Sequence, residues 1–422
     1  MTITRIASPG VSPGTQPSSF APRIACYSHD TVGLGHIRRN IAVATSMINR
    51  WPEADAMLIT GNPEATSLWL PPRTDVVTLP TVAKDGEGRY CSRTLNASLD
   101  NVITMRSAVI EAAVTSFRPD LLIVDKVPLG VAGELLPTLQ RLRTESDTKI
   151  ILGLREILDD PVTAVAEWSR GHATEAITDY YDAVWIYGDQ DVYDPVVEYG
   201  LPAEVSGRCT ATGYLAADRF DGAEPEGAAA AGPSTEIPDR PYVLCTVGGG
   251  QDGGELARTF AATPPPLGHD GVVVCGPFMA TEDRVAIHRR AAANPRMRVL
   301  DFVPDLHHLI AGAAAVISMA GYNSVCEVLT TDRPALLVPR SQPRTEQLIR
   351  AERLDELGLA DLLTFDDLGP DALATWCCTA VGAPPVARDG IDLDGLRRIP
   401  DIARELLRGS DRPTERADHR AA

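Results

Sequence analysis

The chain has 422 residues, of which 44% are hydrophobic and 23% are charged, and its formal net charge is −18. This length is too great for one ordinary core and predicts two domains of about 150–200 residues each. The negative charge argues against nucleic acid as the main partner, because a phosphate backbone requires a broad basic surface.

The N-terminal segment is rich in Ser, Pro, Thr and Gly and lacks the apolar stretch of a secretory signal. We therefore expect residues 1–21 to form a disordered tail and the protein to be cytoplasmic. No apolar run approaches the roughly 20 residues that a membrane helix needs. The 8 cysteines include no C-x-x-C pair, which predicts free thiols and no structural metal.

Short apolar runs alternate with longer amphipathic runs, a pattern typical of a parallel sheet covered by helices. In the first half the pattern predicts a helix over residues 37–48 and strands at 24–27, 56–60, 76–79, 121–124, 150–154 and 183–187. In the second half it predicts strands at 242–247, 272–275, 297–300, 315–318 and 335–338. The α/β pattern therefore runs twice along the chain.

The segment between the two halves is rich in Pro, Gly, Ala and Glu and has no strand character. We therefore divide the rest of the chain into an N-terminal Rossmann-like domain (22–220), a linker (221–240), a C-terminal Rossmann-like domain (241–385) and a C-terminal helix with a frayed tail (386–422).

Three glycine-rich loops each follow a predicted strand, at residues 28–40, 248–254 and 318–327. Glycine permits tight turns and a close approach of ligand to backbone, and open α/β sheets bind ligands at the carboxyl ends of their strands. None of the loops is a Walker loop or a G-x-G-x-x-G fingerprint. A single loop of this kind is often a plain strand–helix turn, but three across two domains indicate a phosphate or sugar site.

Three segments carry a resemblance to a known family: YSHDTVGLGHIRRN at 27–40, VLDFVPDLHHLIAGAAAVISMAGYNSVCEVL at 299–329 and PALLVPRSQPRTEQLIRAERL at 334–354. Over roughly residues 23–363 the chain resembles the GT-B glycosyltransferases of family 28, which include the MurG-type N-acetylglucosaminyltransferases. The resemblance implies an α/β GT-B fold, in which two Rossmann-like doubly wound parallel-sheet domains face an interdomain cleft. The N-terminal domain would bind the acceptor, and the C-terminal domain would bind the nucleotide-sugar donor.

The resemblance also implies roles for individual residues of the donor domain. Phe302 would lie against the donor base, and the backbone of Val303 would read the base edge. Glu327 would bind the ribose, since a carboxylate accepts two hydroxyl donors at once. Glu346 and Gln347 would bridge hydroxyls of the transferred sugar. The alternatives are a core position for Phe302, a solvated position for Glu327 and helix capping for Glu346.

The pyrophosphate of the donor would be met by backbone N–H groups and nearby cations. The residues expected there are Gly249, Gly250, Gln251, Gly321, Asn323, Ser324, Arg340 and Arg344. Surface ion pairs are the alternative for the two arginines. The family commonly has a hydroxyl residue where this chain has Gly250, so backbone amides would have to replace that contact.

The first loop supplies the candidate base on the acceptor side. His36 begins a helix, whose dipole disfavours the protonated imidazole and leaves a neutral ring that can accept a proton. Its alternative role is to shape the loop or hold phosphate. Asp30 is the rival base, with an Asx turn as its structural alternative.

Further acceptor contacts are expected from residues around this loop and at the end of a later strand. They are Gly33, Gly35, Arg38 and Arg155. Arg38 and its neighbour Arg39 would either meet an anionic acceptor or be solvated.

These residues predict an inverting, metal-independent transfer of a hexose or N-acetylhexosamine from a nucleotide sugar to a hydroxyl acceptor, with no cofactor. The family favours UDP as the nucleotide. A nucleotide-sugar 2-epimerase of the same fold and a non-catalytic nucleotide-sugar-binding protein are the alternatives.

Two further motifs have competing interpretations. Asp189-Gln190-Asp191 forms a D-x-D that would hold a metal in another glycosyltransferase fold, but acidic turns after strands are common. The apolar cluster Leu68-Trp69-Leu70 predicts a buried helix end, and peripheral contact with a membrane or a lipid-linked acceptor is its alternative.

Overall fold

The computed structural model describes residues 21–29, 33–84, 89–216, 238–303 and 306–409. The expected tail except Ala21, the expected linker up to residue 237 and the C-terminal end from residue 410 lie outside the described residues.

The N-terminal lobe is built on one parallel sheet. Its described strands are β1 (Arg23–Ser28), β2 (Asp55–Thr60), β3 (Thr74–Thr78), β4 (Val82–Lys84), β5 (Tyr90–Ser92), β6 (Leu121–Asp125), β7 (Lys149–Arg155), β8 (Ala183–Tyr187) and β9 (Cys209–Ala211). The sheet order is β3-β2-β1-β6-β7-β8-β9, and β4 and β5 form a separate antiparallel pair. Strand β1 is buried after its first residue, as expected for a central parallel strand with helices on both faces.

The described helices of this lobe connect the strands in chain order. They are α1 (Gly35–Arg50), α2 (Leu99–Phe117), α3 (Leu136–Glu145), α4 (Pro161–Arg170), α5 (Ala173–Tyr180), α6 (Pro195–Glu198) and α7 (Ala203–Ser206). Helix α1 has the predicted apolar face, since Ile37, Ala44 and Ile48 are all buried.

The C-terminal lobe repeats the architecture with a six-stranded parallel sheet of order β12-β11-β10-β13-β14-β15. Its strands are β10 (Tyr242–Thr246), β11 (Asp270–Val274), β12 (Met297–Leu300), β13 (Ala315–Ser318), β14 (Ala335–Leu337) and β15 (Asp361–Leu362). Its described helices are α8 (Gly254–Ala262), α9 (Thr281–Ala291), α10 (His307–Gly312), α11 (Tyr322–Leu329), α12 (Glu346–Glu356), α13 (Pro370–Ala380) and α14 (Gly395–Arg408).

All eleven strands expected from apolar runs are present, and their ends lie within two residues of the predicted ends. Strands β4, β5, β9 and β15 were not predicted, because two or three residues are too few to show a periodic pattern. The predicted α/β class with two parallel sheets is confirmed.

Helix α14 returns to the N-terminal lobe and packs on α1. The Ser46 hydroxyl donates a hydrogen bond to the Leu396 carbonyl, and Arg404 Cζ lies 5.6 Å from the centre of the Trp51 ring. The hydrophobic cluster that contains Trp51 also contains Tyr322 of α11. One hydrophobic cluster therefore extends across both lobes, beside others that are confined to a single lobe.

The D-x-D motif at 189–191 has a structural role, because it binds the segment that precedes α14. The Asp189 carboxylate accepts hydrogen bonds from the backbone N–H groups of Asp191 at 2.9 Å and Asp392 at 2.7 Å. Its oxygens thereby anchor the segment that leads to α14.

The expected burial of the Leu68-Trp69-Leu70 cluster is wrong for its central residue. Trp69 is 46% exposed, whereas Leu68 and Leu70 pack against the core. The backbone at Leu68 is extended, so successive side chains point to opposite sides and the tryptophan turns outward.

Candidate active site

The carboxyl ends of the strands in both sheets face one cleft between the lobes, with a volume of about 870 Å³. Every predicted site residue that the structure describes lines this cleft. They are Gly33, Gly35, His36, Arg38, Arg155, Gly249, Gly250, Gln251, Phe302, Val303, Gly321, Asn323, Ser324, Glu327, Arg340, Arg344, Glu346 and Gln347. Asp30, the rival base, lies outside the described residues.

His36 is held by a buried carboxylate. Its Nδ1 lies 3.1 Å from Oδ2 of Asp125, the last residue of β6, which pairs with β1. Arg39, one turn after His36 on α1, donates from Nη2 to both Asp125 oxygens at 2.7 and 2.6 Å. Arg39 is 2% exposed, so the solvated alternative for it is wrong, and its charge is directed at Asp125.

Two groups compete for the same nitrogen of His36. Arg39 Nη2 lies 2.9 Å from Nδ1 and needs a lone pair there, whereas Asp125 needs a hydrogen on Nδ1. Burial acts to raise the pKa of Asp125, but Arg39 and His36 outweigh it and hold that pKa well below its ordinary value. Asp125 is therefore ionised at neutral pH.

A second imidazole, that of His29, packs beside the first. The ring centres of His29 and His36 are 4.7 Å apart. Burial, followed by the charges of His36 and Lys126, lowers the pKa of His29 well below its ordinary value. His29 is therefore neutral at neutral pH and adds no charge beside His36.

Lys126 brings a cation to the side of the cleft formed by the N-terminal lobe. It follows Asp125, lines the cleft and has a positive φ of 70°, a conformation that costs energy for a residue other than glycine. Burial, followed by the charges of Arg155 and Arg344, lowers its pKa to about 8. Such strain and desolvation are typical of residues at functional sites.

The glycine loop at residues 248–254 has no room for a side chain at position 250. Gly248 and Gly250 have φ values of 59° and 88°. A Cβ on Gly250 would lie 2.3 Å from the carbonyl oxygen of Cys275. A hydroxyl residue at position 250 therefore does not fit this backbone, and the N–H of Gly250 itself donates to the Val247 carbonyl at 3.1 Å.

Helix α11 brings three polar side chains to the cleft. The Ser324 Oγ lies 3.4 Å from the ideal Cβ position of Gly248, so a hydroxyl stands next to the glycine loop. Asn323 Nδ2 donates to the Gly35 carbonyl at 3.1 Å and joins α11 to the first loop. Glu327 is 7% exposed and lines the cleft, so the solvated alternative for it is wrong.

The loop after β12 presents Phe302 to the cleft. Phe302 is 43% exposed while Val303 is buried, so the core alternative for Phe302 is wrong. Asp301, just before it, is held by α9, because Arg284 Nη1 and His288 Nε2 both lie 3.0 Å from its Oδ1. The position of the aromatic ring is thereby supported from the helix behind it.

Glu346, at the start of α12, lies among arginines rather than capping the helix. Its carboxylate accepts hydrogen bonds from Arg155 at 2.5 Å and from Arg340 at 3.4 Å, and Arg340 Nε lies 3.0 Å from Asp252 Oδ2. Burial acts to raise the pKa of Glu346, but Arg155 and Lys126 hold it well below its ordinary value. Glu346 is therefore a buried, ionised carboxylate.

Arg344 forms ion pairs, which is the alternative interpretation given for it from the sequence. It contacts Asp159 at 3.0 Å and Glu167 at 2.7 Å, both from the N-terminal lobe. Asp159 also accepts from the N–H of Thr345 at 2.9 Å and from its hydroxyl at 3.0 Å. A carboxylate of one lobe thus caps helix α12 of the other.

Some of the site residues that the sequence analysis does not name could have been located from a sequence pattern, and others could not. Asp125 and Lys126 follow the predicted strand 121–124 directly, and residues at that point of a parallel sheet face the ligand edge. Asp159 and Glu167 lie 185 and 177 residues away from Arg344, and no local pattern links them to it.

Within the described residues, no group of three or more His, Cys, Asp or Glu side chains is placed to hold a metal ion. None of the described helices has both the length and the apolar character required to cross a bilayer. The cysteines, all of which lie in the described ranges, are free thiols.

The second half of the chain, over residues 244–375, matches the glycosyltransferase family 28 C-terminal domain. That stretch contains the glycine loop at 248–250, Phe302, Glu327 and Glu346. The C-terminal lobe belongs to glycosyltransferase family 28. The resemblance expected from the sequence is thereby confirmed for this lobe.

One curated relative matches about a third of the chain. The UDP-N-acetylglucosamine--N-acetylmuramyl-(pentapeptide) pyrophosphoryl-undecaprenol N-acetylglucosamine transferase of Bartonella henselae is 30% identical over 153 residues. The matched stretch makes up 34% of this chain and 40% of that protein, so the chain spans about two-fifths of the relative's length.

Solved structures show the architecture around the family 28 lobe. Acinetobacter baumannii MurG superposes with a TM-score of 0.53 and 15% identity, over 91% of this chain and 99% of that chain. A Listeria monocytogenes protein assigned as a UDP-N-acetylglucosamine 2-epimerase superposes with a TM-score of 0.61 and 13% identity, over 93% of this chain and 99% of that chain. The GT-B fold is confirmed, and at these identities the likeness concerns the fold alone.

Proposed function

We propose that the chain is an inverting glycosyltransferase that moves a hexose or N-acetylhexosamine from a nucleotide sugar to a hydroxyl acceptor without a metal ion. The observation that carries the proposal is that His36, which is held by the buried Asp125, lines the same cleft as the family 28 donor-side residues. UDP-N-acetylglucosamine is the first donor to test, because the Bartonella relative's name specifies it.

The donor would lie along the C-terminal lobe, with its base against Phe302 and its ribose at Glu327. The diphosphate would meet the N–H groups of Gly248 and Gly249 and the N-terminus of α11, where the helix dipole favours negative charge. Arg340 is the adjacent cation. These groups offset the charge of the leaving diphosphate, which is why no metal is included in the proposal.

On the opposite side, Asp125 would set the tautomer of His36. We choose the form with hydrogen on Nδ1, because Arg39 already has both Asp125 oxygens as acceptors. Nε2 then carries the lone pair and takes the proton of the acceptor hydroxyl. The role of Asp125 is to orient the ring and stabilise the imidazolium that forms.

The reaction itself is a single displacement at the anomeric carbon. A bond forms from the acceptor oxygen to that carbon while the bond from the carbon to the diphosphate oxygen breaks. The electron pair leaves on the nucleoside diphosphate, and the acceptor proton goes to His36. Attack from the face opposite the leaving group inverts the anomeric configuration.

A donor screen by thermal shift is the first test, since a ligand that binds the folded state raises its melting temperature. Nucleoside diphosphate release is then measured with and without acceptor extracts, in the presence of a chelator. Acceptor-dependent release with an inverted product supports the proposal. Epimer formation without acceptor supports the epimerase, stable binding without turnover supports the binding protein, and an absence of nucleotide-sugar binding contradicts all three.

A further inference from the structure

Tyr322, the first residue of α11, has two guanidinium groups close to its ring where the lobes meet. It is 3% exposed. Arg39 Cζ, from the N-terminal lobe, is 5.6 Å from the centre of its ring, and Arg350 Cζ, from α12, is 5.8 Å away. Both distances suit a cation–π contact, which is strongest where water is excluded.

The N-terminal lobe also fixes the ring from other directions. The Leu215 N–H donates to the Tyr322 hydroxyl at 3.2 Å. The ring stacks on that of Tyr214, with 5.9 Å between centres and 28° between planes. Arg350 is itself held at 2.6 Å by Glu156, and both members of that ion pair are fully buried. Tyr322 therefore has a defined position relative to both lobes.

The same residue stands between the two halves of the candidate site. On one face of the ring, Arg39 donates to both oxygens of Asp125, which in turn contacts His36 Nδ1. Along α11, Glu327 lies on the helix that Tyr322 begins and lines the cleft. Tyr322 thus connects the donor-side helix with the candidate base.

We propose that Tyr322 is a positioning residue for the His36–Asp125 pair. Its ring holds the Arg39 guanidinium against Asp125, and the carboxylate held in this way faces Nδ1 of His36. Without the ring, Arg39 gains freedom to leave Asp125, and the carboxylate no longer has one orientation towards the imidazole. This inference rests on the proposed function, in which His36 takes the acceptor proton.

The test compares Tyr322→Phe, which keeps the ring, with Tyr322→Leu, which removes it. Tyr242→Leu is the control, because it removes a buried tyrosine from the first position of β10, at the end of the strand away from the cleft. We expect Tyr322→Leu to lower kcat about 10-fold with the donor KM changed by less than about twofold. Tyr322→Phe should retain most of kcat, and Tyr242→Leu should affect the melting temperature but not kcat.

Spectra of isotope-labelled histidine in the unliganded protein report the His36 ring separately from catalysis, with the signal assigned by His36→Ala. We expect the tautomer signal to change in Tyr322→Leu and not in Tyr322→Phe. If the wild type transfers no sugar, the proposed function fails while these spectra still decide the role of Tyr322. An unchanged His36 signal in Tyr322→Leu, or equal losses of kcat in the two variants, overturns the inference.

Discussion

Arg155 of the N-terminal lobe and Glu346 of the C-terminal lobe form an ion pair across the cleft, with Nη2 and Oε2 2.5 Å apart. Their side chains are 13% and 7% exposed, so the pair is largely shielded from water. From the sequence, one residue is expected to meet the acceptor and the other the donor sugar, yet here they contact each other. A substrate that enters between the lobes must accommodate this pair or replace it.

Removing one member of this pair should leave a buried charge without its main partner. We expect Arg155→Met to lower the free energy of unfolding by about 3 kcal/mol, and Arg155→Met with Glu346→Met to recover much of that loss. Urea unfolding at neutral pH measures both variants. A double variant that is no more stable than the single one would show that the pair is not the source of the effect.

His36 and Glu327 should affect different kinetic constants. His36→Ala is expected to lower kcat by about 100-fold or more with little change in the donor KM, because it removes the proposed proton acceptor. Glu327→Ala is expected to raise the donor KM much more than it lowers kcat, because it removes the proposed ribose contact. Steady-state kinetics measures both effects, with the exposed Glu352→Ala on α12 as the control. The opposite pattern would contradict the assigned roles.

The protonated Lys126 side chain should lower the free energy of unfolding at neutral pH. Its pKa falls from 10.5 to about 8 on folding, so between these values the unfolded chain binds more protons and stability rises with pH. Lys126→Met is therefore expected to melt at a higher temperature than the wild type at pH 7, with the difference narrowing as the pH rises through about 8–10. Loss of the cation from the cleft should lower turnover in the same variant.

Melting curves across this pH range test the prediction for Lys126. Lys149→Met provides the matched control, because Lys149 lies 3.8 Å from Asp182 at a strand end outside the cleft lining. A difference between wild type and Lys126→Met that stays constant with pH would mean that titration of Lys126 does not contribute.

Position 250 should not accept the hydroxyl residue that is common in the family. In Gly250→Ser the new Cβ would lie 2.3 Å from the Cys275 carbonyl oxygen, at a φ of 88°. We expect a loss of about 2 kcal/mol of stability and weaker donor binding. Gly369→Ser is the control, since its φ is −155° and nothing lies within 4 Å of its Cβ position. Equal stability of the two variants would contradict the expectation.

Much of the fold could be predicted because its central strands are buried on both faces. In a buried parallel strand such as β6, residues 121–124 form a continuous apolar run, and such a run is visible in a short window of the sequence. The glycine loops could be located for a related reason, since they follow these runs directly. That placement put His36 and Glu327 on the correct edge of their sheets.

The sequence by itself determined the secondary-structure elements, the two parallel sheets and the sheet edge at which the polar residues lie. Each of these depends on the local spacing of apolar residues and on the residues that form turns. Only the tertiary structure decided which of those residues are partners. Arg39 turns to Asp125 and Arg344 to Asp159 because helices and sheets pack in one relative position, and a local pattern reports that a side chain is buried but not which distant group it meets.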